Sequence, residues 1–168
     1  MSILDKAREG QNLLEKIANA IPGFRGYREK ELRRDTDRLE REHLASRLED
    51  VKRVFNDVAA AVSRSGNLDA INDVETARKR LDKVANRIRY ADRGYGGFFD
   101  AVKVDEAVLA RVYEFDLSLI EGVNAVRSAA EAARGAADAR AGMQGVIAEI
   151  DRIDAALAER EAILGGIK

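Results

Sequence analysis

The feature that most constrains this chain is an apolar spacing of alternating fours and threes. It is held over stretches too long for a strand. Ile3, Ala7, Gly10, Leu14, Ile17 and Ile21 carry it first, and Leu44, Leu48, Val51, Phe55, Val58 and Val62 carry it again. Such spacing lays one narrow stripe along a helix, the pattern of helices that pack lengthwise against each other. The 28 alanines and single proline among 168 residues push the same way, because alanine is the best helix former and proline the worst. A chain of this length can bury a substantial core without staples.

Several function classes fall away on composition. There is no cysteine, which excludes disulfides, thiolate nucleophiles, zinc fingers and iron–sulfur ligation. His43 is the single histidine, so no site needing two imidazoles fits within one chain. No apolar run reaches the roughly 20 residues that span a bilayer. The run Met1-Ser2-Ile3-Leu4-Asp5-Lys6-Ala7-Arg8-Glu9 is charged from its start and does not read as a secretory signal, so a cytoplasmic protein is expected. With 29 Lys and Arg against 30 Asp and Glu, the net charge of −1 gives no general attraction to nucleic acid, and none is expected as a partner.

Punctuation along the chain sets the element plan. Pro22-Gly23, Ser65-Gly66-Asn67, the glycine-rich Arg93-Gly94-Tyr95-Gly96-Gly97 and the weakly helical stretch 133–145 are the breaks. They leave helices at about 3–20, 27–65, 68–91, 105–134 and 143–164 in one domain over 1–168. Within the second helix, Leu32, Thr36, Leu39 and His43 carry the early seam and Leu44 onward the later one. The one-residue slip between them reads as a stutter. An unbroken helix over 105–164 would run roughly 90 Å against roughly 58 Å for the second at 1.5 Å per residue, so a bend between Gly135 and Gly145 is expected. The fold class is all-α: an antiparallel up-and-down helical bundle of four or five long helices with coiled-coil-like packing.

That topology brings the end of the first helix, the start of the second, the end of the third and the start of the fourth to one pole. Eight of the nine aromatics fall in those segments, Phe55 being the exception, and arginines crowd the same stretches. The rings either plug the bundle end as core, with arginines solvated or paired to Glu114 and Asp116, or form a docking surface on a rigid scaffold. The candidate partner-binding residues are Phe24, Arg25, Tyr27, Arg28, Arg89, Tyr90, Arg93, Tyr95, Phe98 and Phe99.

Catalytic and metal chemistry find little support. Glu40 and His43 have the Glu-x-x-His spacing of di-iron bundles, but the chemistry requires a second pair that this chain lacks. Arg93-Gly94-Tyr95-Gly96-Gly97 lacks the order of a phosphate-binding loop. No serine or threonine has a plausible base partner. No catalytic residue, metal ligand or cofactor is assigned.

The segments Ile21-Pro22-Gly23-Phe24-Arg25-Gly26-Tyr27-Arg28-Glu29-Lys30-Glu31 and Arg89-Tyr90-Ala91-Asp92-Arg93-Gly94-Tyr95-Gly96-Gly97-Phe98-Phe99-Asp100 resemble stretches of uncharacterised bacterial α-helical proteins, a resemblance that implies a helical fold and no activity. The long-hairpin layout also resembles phage-shock-type membrane-remodelling proteins, although this chain is shorter and its first helix balances acid with base. The expected function is therefore a non-enzymatic helical-bundle interaction or scaffold protein. It would dock a protein partner through the aromatic-basic pole and self-associate through its C-terminal heptads. The alternatives are a peripheral protein on anionic lipid and a ligand-binding bundle with a pocket behind Phe98 and Phe99.

Overall fold

The computed structural model describes residues 3–91 and 106–166. Five helices make up its regular structure: α1 (Ile3–Ala20), α2 (Arg33–Ser65), α3 (Leu68–Arg89), α4 (Glu106–Arg134) and α5 (Ala139–Gly166), with one 3-10 turn at Lys30–Leu32 before α2. The fold is an all-α bundle. Each apolar stripe turns inward, so Leu48, Val51, Phe55, Leu81, Val126, Ile150 and Ile153 are almost wholly removed from solvent in one core.

Four of the helices form a square of two hairpins. α2 and α3 pack antiparallel, as do α4 and α5, and the hairpins lie side by side with α2 against α4 and α3 against α5. Pairings across the seams fix the directions. Glu40 lies by Asp116 through a shared Tyr27 hydroxyl, and Asp57 pairs with Arg134, so α2 and α4 run parallel. Arg140 reaches Asp73, and Arg87 reaches Glu161, so α3 and α5 do too. Helix direction alternates along the chain from α2 to α5. α3 and α4, consecutive in the chain, stand at opposite corners of the square.

α1 lies outside the square, packed along α4. Leu14 and Tyr113 meet at Gly26, and Ala20 and Pro22 lie beside Ile120, Val123 and Asn124, so α1 runs parallel to α4. The chain then doubles back over residues 21–32 to begin α2 near the start of α4. That return explains why α2 starts at Arg33 and not at Tyr27. Gly26 has φ +81°, and a Cβ there would sit 2.6 Å from the Tyr113 hydroxyl and 2.9 Å from Leu14 Cδ1; only glycine meets both demands.

The remaining boundaries follow local chemistry. Gly66 closes α2 in the left-handed conformation and Asn67 caps α3, its side chain accepting from the Ala70 amide at 3.1 Å. Asp138 accepts from the Ala141 amide at 3.0 Å, which lets α5 begin at Ala139, ahead of Gly142 and Gly145. The turn between α4 and α5 therefore falls at residues 135–138, and the two helices fold back on each other at once.

Candidate functional site

Three of the aromatics assigned to one pole meet there with their rings turned inward. Phe24, Tyr27 and Tyr113 are 5%, 0% and 3% exposed. Tyr27 stacks on Tyr113 at 5.6 Å with 12° between planes, and Phe24 meets Tyr27 edge-on at 5.7 Å. Both contacts are favourable arrangements of ring quadrupoles. The Tyr113 hydroxyl also accepts from the Tyr27 amide at 2.9 Å. This pole, called here the Tyr27 end, thus has an aromatic plug pinned by backbone.

The other candidate residues divide. Arg25 and Arg28 are exposed, and Arg28 pairs with Glu106 at 3.0 Å. Arg89 pairs with Glu49 at 2.9 Å, while the ring of Tyr90 is 63% exposed. Arg93, Tyr95, Phe98 and Phe99 lie outside the described residues. The basic strip of α3 is largely answered by acids from α5 and α2: Arg80 by Asp151, Lys83 by Asp154, Arg87 by Asp154 and Glu161, and Arg78 by Glu75 within α3. Asp116, read as a surface partner for arginine, is instead fully buried.

Behind the rings sits a cluster of charges that the periodicity did not announce. Asp37 and Glu40 on α2, Asp116 on α4 and Arg160 on α5 are each 3% exposed or less, and Arg33 and Arg41 are nearly as buried. Arg160 donates Nε to Asp116 at 2.9 Å and a terminal nitrogen to Asp37 at 3.1 Å. Arg41 donates to Asp37 at 2.7 Å and to the Arg89 carbonyl. Arg33 donates to the Tyr27 carbonyl at 2.6 Å. The Tyr27 hydroxyl lies 2.8 Å from both Glu40 Oε2 and Asp116 Oδ2.

A phenol has one proton to give. It donates to one of those carboxylates, and the second short contact requires a proton on a carboxyl group. Asp116 has Arg160 at 2.9 Å, whereas Glu40 Oε2 lies 3.9 Å from the same guanidinium and Glu40 Oε1 has no hydrogen-bond partner, so Glu40 is the less compensated of the two. Burial, then the neighbouring Asp116, raises the Glu40 pKa well above the ordinary carboxyl value. Burial raises Asp116 as well, with Arg160 opposing, and burial followed by the carboxylates raises Tyr27. Burial works against the charge on Arg160, but the surrounding acids outweigh it and hold the guanidinium protonated.

The signal for this cluster was present in the spacing. Val112, Asp116, Leu119 and Val123 step four, three, four, as do Ile153, Leu157 and Arg160 in four, three. Asp116 and Arg160 thus occupy positions where the stripe calls for an apolar side chain. On α2 the buried stripe runs unbroken through Arg33, Asp37, Glu40, Leu44 and Leu48. The apparent stutter at His43 arises because the first three of these are charged. Leu32, Leu39 and His43, read as seam, are only half buried, and Leu39 faces the return at Gly23.

The arrangement holds protons and fixes helix positions. Its carboxylates are buried, and a cavity touching Glu40 and Arg160 has a volume of about 10 Å³, room for about one water. Among the described residues no group of three or more His, Cys, Asp or Glu could hold a metal ion, and no helix is long and apolar enough to cross a membrane. No protein-family model, no curated protein and no solved structure matches the chain.

Proposed function

We propose that this chain is a non-enzymatic interaction or scaffold protein of the cytoplasm, docking a protein partner at the Tyr27 end of its bundle. The observation that carries this reading is the layering of that end. Buried charges and stacked rings brace it from within, and Tyr90 stands 63% exposed at its rim with Arg25 and Arg28 exposed on the same end. Rigid scaffolds commonly present binding residues in this way, and tyrosine and arginine are the types that carry binding energy. Phe24 and Tyr27 then support the surface and do not touch the partner. Among the described residues the carboxylates with raised pKa, Glu40 and Asp116, are buried in the bundle, which favours a structural role for them over an acid or base that must reach a substrate. A second copy of the chain remains a partner under this reading, and it would use an exposed face, because the α5 stripe at Val146, Ile150, Ile153 and Leu157 is buried within the chain.

The test compares cross-linked capture by the wild type with capture by a Tyr90→Ala, Arg25→Glu double variant of equal melting temperature. A partner lost only from the variant supports the proposal, and equal capture by both overturns it. Salt-sensitive sedimentation with anionic but not neutral vesicles would put the lipid-binding alternative in its place.

A further inference from the structure

α1 covers only part of the face between α2 and α4. It ends at Ala20, and the chain turns away at Pro22 and Gly23, leaving a groove of about 320 Å³ between α1, α2 and α4. The floor is aliphatic: Leu44, Ile120 and Val123, each 7% exposed or less. The rim carries His43 and Arg47 from α2 and Asn124 from α4, and among the described residues no carboxylate lines it. Arg28, Arg41, Arg80, Arg87, Arg89 and Arg160 meet acids, while Arg25, Arg64 and Arg127 are exposed to solvent; Arg47 differs from both sets in lining a groove. Arg47 makes no ion pair among the described residues, and its charge stands over buried aliphatic surface.

We infer that this groove binds a short aliphatic carboxylic acid, its carboxylate on Arg47 and its chain over Leu44, Ile120 and Val123. The planar fork of a guanidinium matches a carboxylate in two parallel hydrogen bonds, and the Asn124 amide is placed as a further donor. One unpaired cation suits a single negative charge. The floor is aliphatic throughout, with the His43 ring on the rim rather than beneath the ligand, which favours an alkyl chain over a base or aromatic acid. The volume lies at the small end of ligand pockets, about 300–1,000 Å³. This site is separate from the docking surface at the Tyr27 end and stands or falls without it.

His43 supplies a built-in reporter, because it is the single histidine and its imidazole resonances are unambiguous. Burial, then the Arg47 charge, lowers its pKa; α1 and α4 bring only Ala20, Pro22, Ile120, Val123 and Asn124 to this groove, none of them charged. A carboxylate on Arg47 offsets that charge and moves the His43 midpoint up. The experiment titrates the full chain with sodium octanoate while following His43 by proton NMR, with sodium acetate at equal ionic strength and 1-octanol as comparisons. Expected are a saturating shift with octanoate, an upward move of the His43 midpoint, no saturation with acetate, and weaker binding of 1-octanol. Arg47→Gln should reduce octanoate affinity by about tenfold or more, the range of a charge-assisted hydrogen bond. The proposal is overturned if octanoate gives no saturating shift, if acetate or 1-octanol binds as well, or if Arg47→Gln binds octanoate unchanged. The comparison of octanoate with 1-octanol on the wild type decides the matter even if that variant fails to fold.

Discussion

The two ends of the four-helix square solve the same packing problem with opposite chemistry. At the end where α2 meets α3 and α4 meets α5, the core is Val58, Val62, Ala70, Val74, Val126, Ala130, Ala133, Met143 and Val146. Small side chains let the helices approach, and Gly142 lies so near α4 that a Cβ would be 3.1 Å from Ala133 Cα. At the Tyr27 end the same inward positions hold Asp37, Glu40, Asp116 and Arg160. Apolar packing is tolerant of the partner so long as volume is filled, whereas a buried ion network is stable in one arrangement only, because any unpaired member is severely penalised. The contrast suits the placement of α3 and α4 at opposite corners of the square. Each hairpin joins its own helices by a tight turn, and at the Tyr27 end Arg160 of α5 ties Asp116 of α4 to Asp37 of α2.

The largest test of this contrast removes α5. A chain ending before Gly142 loses Met143, Val146, Ile150, Ile153, Leu157 and Arg160 from the core at once, and should lose cooperative thermal unfolding by circular dichroism rather than merely change its oligomeric state. A chain that still melts cooperatively would show α5 to be an accessory.

At the charged end, Arg160→Met strips buried Asp116 of its counterion and Asp37 of one of its two arginines, and should cost about 3–5 kcal/mol in denaturant unfolding. A cost below about 1 kcal/mol would mean that water reaches the cluster and screens it. At the small-residue end, Gly142→Val forces α4 and α5 apart and should cost about 1–3 kcal/mol, the usual scale of overpacking. Together the two variants rank the ends.

Glu40→Gln separates charge from shape. The raised pKa of Glu40 in the folded state means its contribution is fully present below the ordinary carboxyl pKa and is lost as pH rises through the folded value. The wild type should therefore weaken towards alkaline pH, and part of that decline should vanish in Glu40→Gln, which keeps the hydrogen-bonding shape without the titration. At neutral pH the variant should lie within about 1 kcal/mol of the wild type. Parallel alkaline declines in both proteins would show that Glu40 is already ionised. The smallest expected effect is a gain: Gly145→Ala sits on an exposed face of α5 with nothing within 4 Å of a new Cβ and should stabilise by about 0.5–1 kcal/mol through helix propensity.

Part of the site was readable from the sequence and part was not, for definite reasons. The convergence of Phe24, Tyr27 and Tyr113 followed from topology, because any bundle with these breaks gathers those segments at one end. Their inward direction did not follow, since an aromatic next to a turn fits a plug and a docking face equally well. The charge cluster was misread in a more instructive way. Leu32, Leu39 and His43 looked like a seam because they are the least polar residues at helical spacing there, yet the stripe that faces the core passes through Arg33, Asp37 and Glu40. Hydrophobicity reports the buried face only where apolar groups fill it.

What the sequence by itself determined was the set of helices and the places where they stop. Those are local matters: alanine and leucine propensity, stripe spacing, the Pro22-Gly23 break, the Gly66 and Asn67 caps. What only the tertiary structure decided was which helices are neighbours, how α1 lies along α4, and that six ionisable side chains meet out of water. Each of those depends on groups far apart in the chain, such as Asp37 and Arg160, whose mutual attraction outweighs the loss of hydration only once every partner is in place.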